Sequence, residues 1–96
     1  MLRRFKLKEW LDMQQFTIKI GTFNLFNLVK AGVNYYEREG LSEENYNKKI
    51  NWIANQIKEM DCDIIAFQEY FHGSALEEAV EKSGMFPGVK PIIYQE

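Results

Sequence analysis

The chain has 96 residues, a mass of 11.4 kDa and a formal net charge of −2. Its 46% hydrophobic, 27% charged and 15% aromatic content is ordinary for a folded globular protein and argues against a disordered one. The length allows one small domain. One cysteine, Cys62, excludes an internal disulfide and a cysteine-based zinc site, and one histidine, His72, excludes any site built from two. A lone thiol fits a reducing compartment, so a cytoplasmic location is expected. No run of about 18 uncharged apolar residues occurs, so no membrane span is expected. The near balance of charge gives no reason to expect tight nucleic-acid binding by charge alone.

In chain order, residues 1–12 (MLRRFKLKEWLD) are read as a basic extension, and residues 13–96, opening at Met13, as the domain. Lys6, Lys8, Glu9 and Asp12 interrupt the apolar residues, so no signal-peptide core forms. Residues 16–23 alternate, with Phe16, Ile18 and Ile20 against Thr17, Lys19 and Gly21, and predict a strand ending at Asn24. Residues 25–40 have no sustained period. Gly32, Asn34 and Gly40 mark a long loop, a class of element that usually carries function, and Tyr35 and Tyr36 are candidates for stacking on a substrate.

Residues 42–60 predict a helix. Ser42 is the N-cap, Glu43 and Glu44 meet the positive end of the dipole, and Leu41 and Tyr46 hold the staple positions. Tyr46, Ile50, Ile53, Ala54, Ile57 and Met60 recur on one face, while Trp52 is expected to help cover the sheet. Residues 64–68 (IIAFQ) read as a central strand covered on both faces. Ser74 to Glu77 form a capping box for a second helix that Gly84 stops, and residues 91–94 (PIIY) predict a third strand. The order β-loop-α-β-α-β gives an α/β (α+β) class with a right-handed parallel βαβ unit.

In such a sheet the first two strands end on one edge, where ligands bind outside the carboxyl ends. Asn24 ends one strand and Gln68-Glu69 end the other. A carboxylate rising from a buried strand is costly unless it is satisfied. Mg²⁺, which takes one or two carboxylates, waters and a substrate phosphate, would satisfy it. Asn24 adds an amide for a phosphate oxygen or a metal-bound water. The bland alternative is a Glu69 that simply reaches solvent. Cys62 has no base beside it and is not read as a nucleophile. His72 is read as a loop histidine at a helix entrance.

The segments Ile18-Lys19-Ile20-Gly21-Thr22-Phe23-Asn24-Leu25 and Asp63-Ile64-Ile65-Ala66-Phe67-Gln68-Glu69, joined by an amphipathic helix, resemble the opening of the endonuclease/exonuclease/phosphatase (DNase I-like) superfamily. The run Tyr46-x-x-Lys49-x-x-Trp52-Ile53-Ala54 and the tail Glu69-Tyr70-Phe71-His72 look like a bacterial branch of it, and the resemblance covers roughly residues 16–84. It implies the first half of a four-layer αββα sandwich. It also implies that Glu69 is the metal-binding glutamate, Asn24 the asparagine at metal and phosphate, and Gln68 their supporting neighbour. Some members carry an acidic residue two positions after the asparagine; here Phe26 stands there.

The family's second half supplies an Asp/Asn pair and a terminal Asp-His pair, and nothing after Glu69 fills those roles. The expectation is therefore a truncated N-terminal part of a Mg²⁺- or Mn²⁺-dependent phosphoester hydrolase. Metal binding would be weak, activity alone would be absent, and the complete enzyme would act on nucleic acid or a small phosphodiester. The alternative is a non-catalytic α/β interaction domain that needs a partner, or self-association, to cover its sheet.

Overall fold

The computed structural model describes residues 17–94. The expected 1–12 extension, the Met13 opening and the first strand residue, Phe16, lie outside them. The described residues form a small α+β domain of two parallel strands and two helices: β1 (Ile20–Leu28), α1 (Glu43–Met60), β2 (Ile64–Tyr70) and α2 (Gly73–Ser83).

The helix caps act as their residue types dictate. The Ser42 hydroxyl accepts the Asn45 N–H at 3.1 Å, which satisfies one of the amides that no earlier turn can reach. Asp61 closes α1 in the left-handed conformation (φ 48°), and Gly84 closes α2 the same way (φ 68°), a region that suits glycine. The N-cap of α2 is His72, not Ser74. The Ala75 N–H donates to the His72 carbonyl at 3.1 Å, so the cap lies two residues before Ser74, the helix opens at Gly73 and Ser74 falls within its first turn.

Tyr46, Ile50, Ile53 and Ile57 of α1 meet Leu76, Ala79 and Val80 of α2 and Leu25 and Leu28 of β1 in one buried cluster. Phe23 and Phe67 lean on it from the sheet. Trp52 is half-exposed and meets Phe23 edge-on at 6.0 Å, so it covers only the margin of that face.

Two expectations are corrected. Residues 64–68 are not covered on both faces: both helices contribute to one core, and Ile20 (72% exposed) and Ile64 (53%) lie open on the other side. Residues 91–94 do not join the sheet, which has two strands. Pro91 has no N–H for a ladder, and Ile92 is 97% exposed. The segment is held instead by Ile93, which occupies the space a side chain at Gly73 would need, and by the Tyr94 N–H, which donates to the Tyr70 hydroxyl at 3.4 Å.

The start of the β1–β2 pair is stitched by Asp63, whose Oδ2 accepts the Lys19 N–H at 2.9 Å while the Asp63 N–H donates to the Lys19 carbonyl at 2.9 Å. From there the register runs Ile20 with Ile64 through Asn24 with Gln68.

Ile53→Ala removes a fully buried side chain and is expected to cost about 2–5 kcal/mol. A chain this size has only about 5–14 kcal/mol in total. Ser42→Ala is expected to cost about 1 kcal/mol. Urea midpoints should separate the two, with Ile53→Ala largely unfolded well before Ser42→Ala. A second outcome concerns Tyr46, whose hydroxyl donates to Glu78 Oε2 at 2.9 Å. Burial first, then the Glu78 hydrogen bond and the Glu78 and Glu43 charges, push its pKa up to about 12. The neutral phenol is the form the fold favours, so its contribution is complete below pH ~10 and is lost as pH rises toward 12. Alkaline absorbance titration should show a tyrosine ionising near pH 12 that is missing in Tyr46→Phe.

Candidate functional site

Asn24 and Gln68 are register partners in a parallel pair, so Asn24 and Glu69 stand at the same edge of the sheet. Neighbouring strands lie about 5 Å apart, so Asn24 lies beside Gln68, the residue before Glu69. The edge is built by a departure from ordinary pairing. After Asn24 the next partners are Leu28 and Tyr70, so residues 25–27 oppose Glu69 alone. Phe26 (φ 50°), Asn27 (φ 56°) and Glu69 (φ 58°) are all left-handed at this level. For residues other than glycine each such conformation costs roughly 1–2 kcal/mol.

The kink changes which side chains face the helices. Along β2, Ile65 and Phe67 lean on the core, and strict alternation would put Glu69 beside them. Its left-handed backbone instead leaves Glu69 exposed, and Tyr70 takes the inward position. Along β1, Leu25 (2% exposed) and Leu28 (0%) are both buried although three residues apart. The strand therefore continues four residues past the expected end at Asn24, and Leu25 to Leu28 belong to β1, not to the loop. The expected burial cost of the Glu69 carboxylate is removed as well, since the group is open to water.

The Asn24 Oδ1 accepts the Phe26 N–H at 2.9 Å, which leaves a second lone pair and the Nδ2 donors. Gln68 is engaged across the strands: its Oε1 accepts the Thr22 hydroxyl at 3.1 Å, and its Nε2 donates to the Ala66 carbonyl at 3.1 Å. Its support for the edge is thus exerted on the strand pair and not on the Glu69 carboxylate. His72 Nδ1 accepts the Lys30 N–H at 3.1 Å, so in the neutral ring the proton sits on Nε2. This ties His72 to the loop after β1, as expected of a histidine at a helix entrance, and leaves neither nitrogen available as a base while that bond is made.

Lys49 is the residue sequence reasoning underrated. Its Nζ donates to the Phe26 carbonyl at 2.8 Å, and burial lowers its pKa from the ordinary lysine value. The signal was its place on the flank of the apolar face of α1, directly before Ile50. Phe71 is the other addition. It meets Tyr36 at 5.4 Å and Tyr35 at 6.1 Å, so the loop after β1 folds its rings over the end of β2. Tyr35 and Arg38 close a tight turn in which Tyr36 and Glu37 are left-handed. Phe26 is 75% exposed.

Two grooves lie elsewhere. One of about 590 Å³ runs between β2 and the 86–94 segment, and one of about 380 Å³ sits beside the end of α2; neither includes Asn24, Gln68 or Glu69. Among the described residues no group of three or more His, Cys, Asp or Glu side chains could hold a metal ion. The edge offers one carboxylate and one amide, a donor set that suits an ion keeping most of its waters. No helix of the described residues is long and apolar enough to cross a membrane. No family model, no curated protein and no solved structure matches the chain.

Relief of the left-handed strain gives a direct test of the edge. Glu69→Gly is expected to be more stable than Glu69→Ala by about 1 kcal/mol, because only glycine adopts φ 58° at little cost. Paired urea melts of the two variants measure the difference. Equal midpoints would mean that Glu69 is not held left-handed.

Proposed function

We propose that the chain is the first half of a divalent-metal-dependent phosphoester hydrolase of the endonuclease/exonuclease/phosphatase type, with Glu69 as its metal carboxylate and Asn24 as its phosphate-orienting amide. The observation that supports the reading is the pairing of Asn24 with Gln68, the neighbour of Glu69, at the level of a parallel β-α-β unit where the ordinary register breaks. The exposed Glu69 carboxylate suits a hydrated Mg²⁺ or Mn²⁺, and the Asn24 Nδ2 group suits an anionic phosphoryl oxygen. The ion, when bound, supplies polarisation of the phosphoryl oxygen and stabilisation of the leaving oxygen. Glu69 would hold it at the edge, and Asn24 would fix the phosphate relative to it.

Water activation is the step these residues do not provide. His72 is tied through Nδ1 to Lys30, and the groups at the edge are an amide and a carboxylate. A base from further sequence or a second chain would complete the reaction. The bare face carrying Ile20 and Ile64 is where a second sheet layer of a sandwich would rest. The same face supports a second reading, a non-catalytic module whose sheet docks on a partner or on its own copy.

Purified 96-residue chain is expected to show no measurable hydrolysis of a phosphodiester such as bis-p-nitrophenyl phosphate with Mg²⁺ or Mn²⁺. A robust, EDTA-sensitive rate that Glu69→Ala abolishes would contradict the absence of a base. Mn²⁺ titration followed by NMR is expected to broaden Glu69 and Asn24 first, in the millimolar range typical of weak carboxylate sites, and Glu69→Ala should abolish that broadening. Broadening elsewhere, or none at Glu69, would favour the docking module.

A further inference from the structure

We infer that Lys49 is the positioning residue for the Asn24 amide, acting through the backbone of Phe26. Lys49 Nζ donates to the Phe26 carbonyl at 2.8 Å, and the Phe26 N–H donates to Asn24 Oδ1 at 2.9 Å. Both bonds fall on one residue, and that residue is left-handed with a bulky side chain exposed to water. Packing of its own ring therefore does not hold Phe26 in so unfavourable a conformation. Buried Leu25 and Leu28 fix the chain on either side, and the two hydrogen bonds fix the residue between them.

The behaviour of Lys49 differs from that of its neighbour. Lys48 lies in water and pairs with Glu44 one turn back, at 3.3 Å. Lys49 turns from that route, is partly buried, and reaches a strand 23 residues earlier in the chain. Among the described residues the ion pairs are Lys48–Glu44 and Lys82–Glu78, so no carboxylate answers the Lys49 charge at salt-bridge distance. An ammonium taken partly out of water without a carboxylate is retained at a cost, and the Phe26 carbonyl is the acceptor it meets. Without that tie the 25–27 kink is freer to relax toward ordinary pairing. Relaxation would remove the amide that occupies Asn24 Oδ1 and release the Asn24 rotamer. The catalytic meaning of the tie rests on the hydrolase reading; the tie itself does not.

The test uses the 96-residue chain and NMR. Lys49→Met keeps the length and apolar stem but has no donor, whereas Lys49→Arg keeps one. In Lys49→Met the Phe26 amide is expected to exchange about tenfold faster or more, as loss of a hydrogen bond to a charged group implies. The Asn24 side-chain amide resonances should move, while Thr22 and Phe67 amides in the strand pair stay protected. Lys49→Arg should restore both signals. Should Lys49→Met fail to fold, the comparison moves to a Phe26→Gly background, where left-handed strain is relieved while the residue-26 carbonyl can still take the Lys49 bond, and a smaller Asn24 shift in the same direction is expected. Unmoved Asn24 resonances and an unchanged exchange rate of the residue-26 amide, in whichever background folds, overturn the inference. Absence of Mn²⁺ broadening at Glu69 would sink the hydrolase reading alone and leave the clamp standing.

Discussion

The sheet depends on a shared change of phase. Each strand begins with the two-residue alternation that puts Phe23, Ile65 and Phe67 toward the helices and Ile20, Thr22, Ile64 and Ala66 away from them. At one level both strands abandon it, through Phe26 and Asn27 on one side and Glu69 on the other. The driving term is burial. Leu25, Leu28 and Tyr70 all reach the core, and each buried apolar side chain of this size contributes roughly 1.5–3 kcal/mol. That outweighs roughly 1–2 kcal/mol for each left-handed residue. The same adjustment that packs the core lifts a carboxylate out of it. Fold and candidate site are therefore products of one constraint.

What could be read from the residues follows from how local the cause is. Helix α1 was legible to within a residue because its cap and staple lie within residues 41–46 and its apolar face repeats at steps of three and four residues from Tyr46 to Ile57. The left-handed stop at Gly84 was legible for the same reason. The end of β1 was not, since Leu25 and Leu28 look like a broken period until β2 is beside them; their spacing of three, in a strand of period two, was the available sign. The N-cap of α2 was misplaced because Ser74 to Glu77 satisfies the capping-box pattern, yet His72 is already held by Lys30 from a distant loop. The segment 91–94 has strand composition, but Pro91 cannot donate and Ile93 packs on Gly73 instead. The parallel pairing that sets Asn24 beside Gln68 was legible because a strand, a helix and a second strand in that order dictate it. The use of Gln68 as a cross-strand tie, and of Lys49 as a strut, depends on side-chain reach that no spacing encodes.

The open face bears on both functional readings through one quantity, the solvent that reaches the edge. Exposed Ile20 and Ile64 leave apolar surface that a covering layer would bury. The register residues of that face, Thr22 and Gln68, already bond one another, so a covering layer would meet a surface with its polar groups largely satisfied. Such a surface accepts a second layer without a large desolvation cost, whether the layer belongs to a sandwich or to a partner.

Coverage would also change the electrostatics of Glu69. In water two unit charges 4 Å apart attract by about 1 kcal/mol, and near a protein surface by about 4 kcal/mol. An exposed carboxylate such as Glu69 would therefore hold a hydrated cation only weakly. A layer laid across the sheet would exclude water from the same edge and strengthen every charge interaction there without moving Asn24 or Glu69. Under the proposed reading, a catalytic base and a tighter cation site would both come with such a cover, which would meet an edge already shaped by left-handed Phe26 and Glu69.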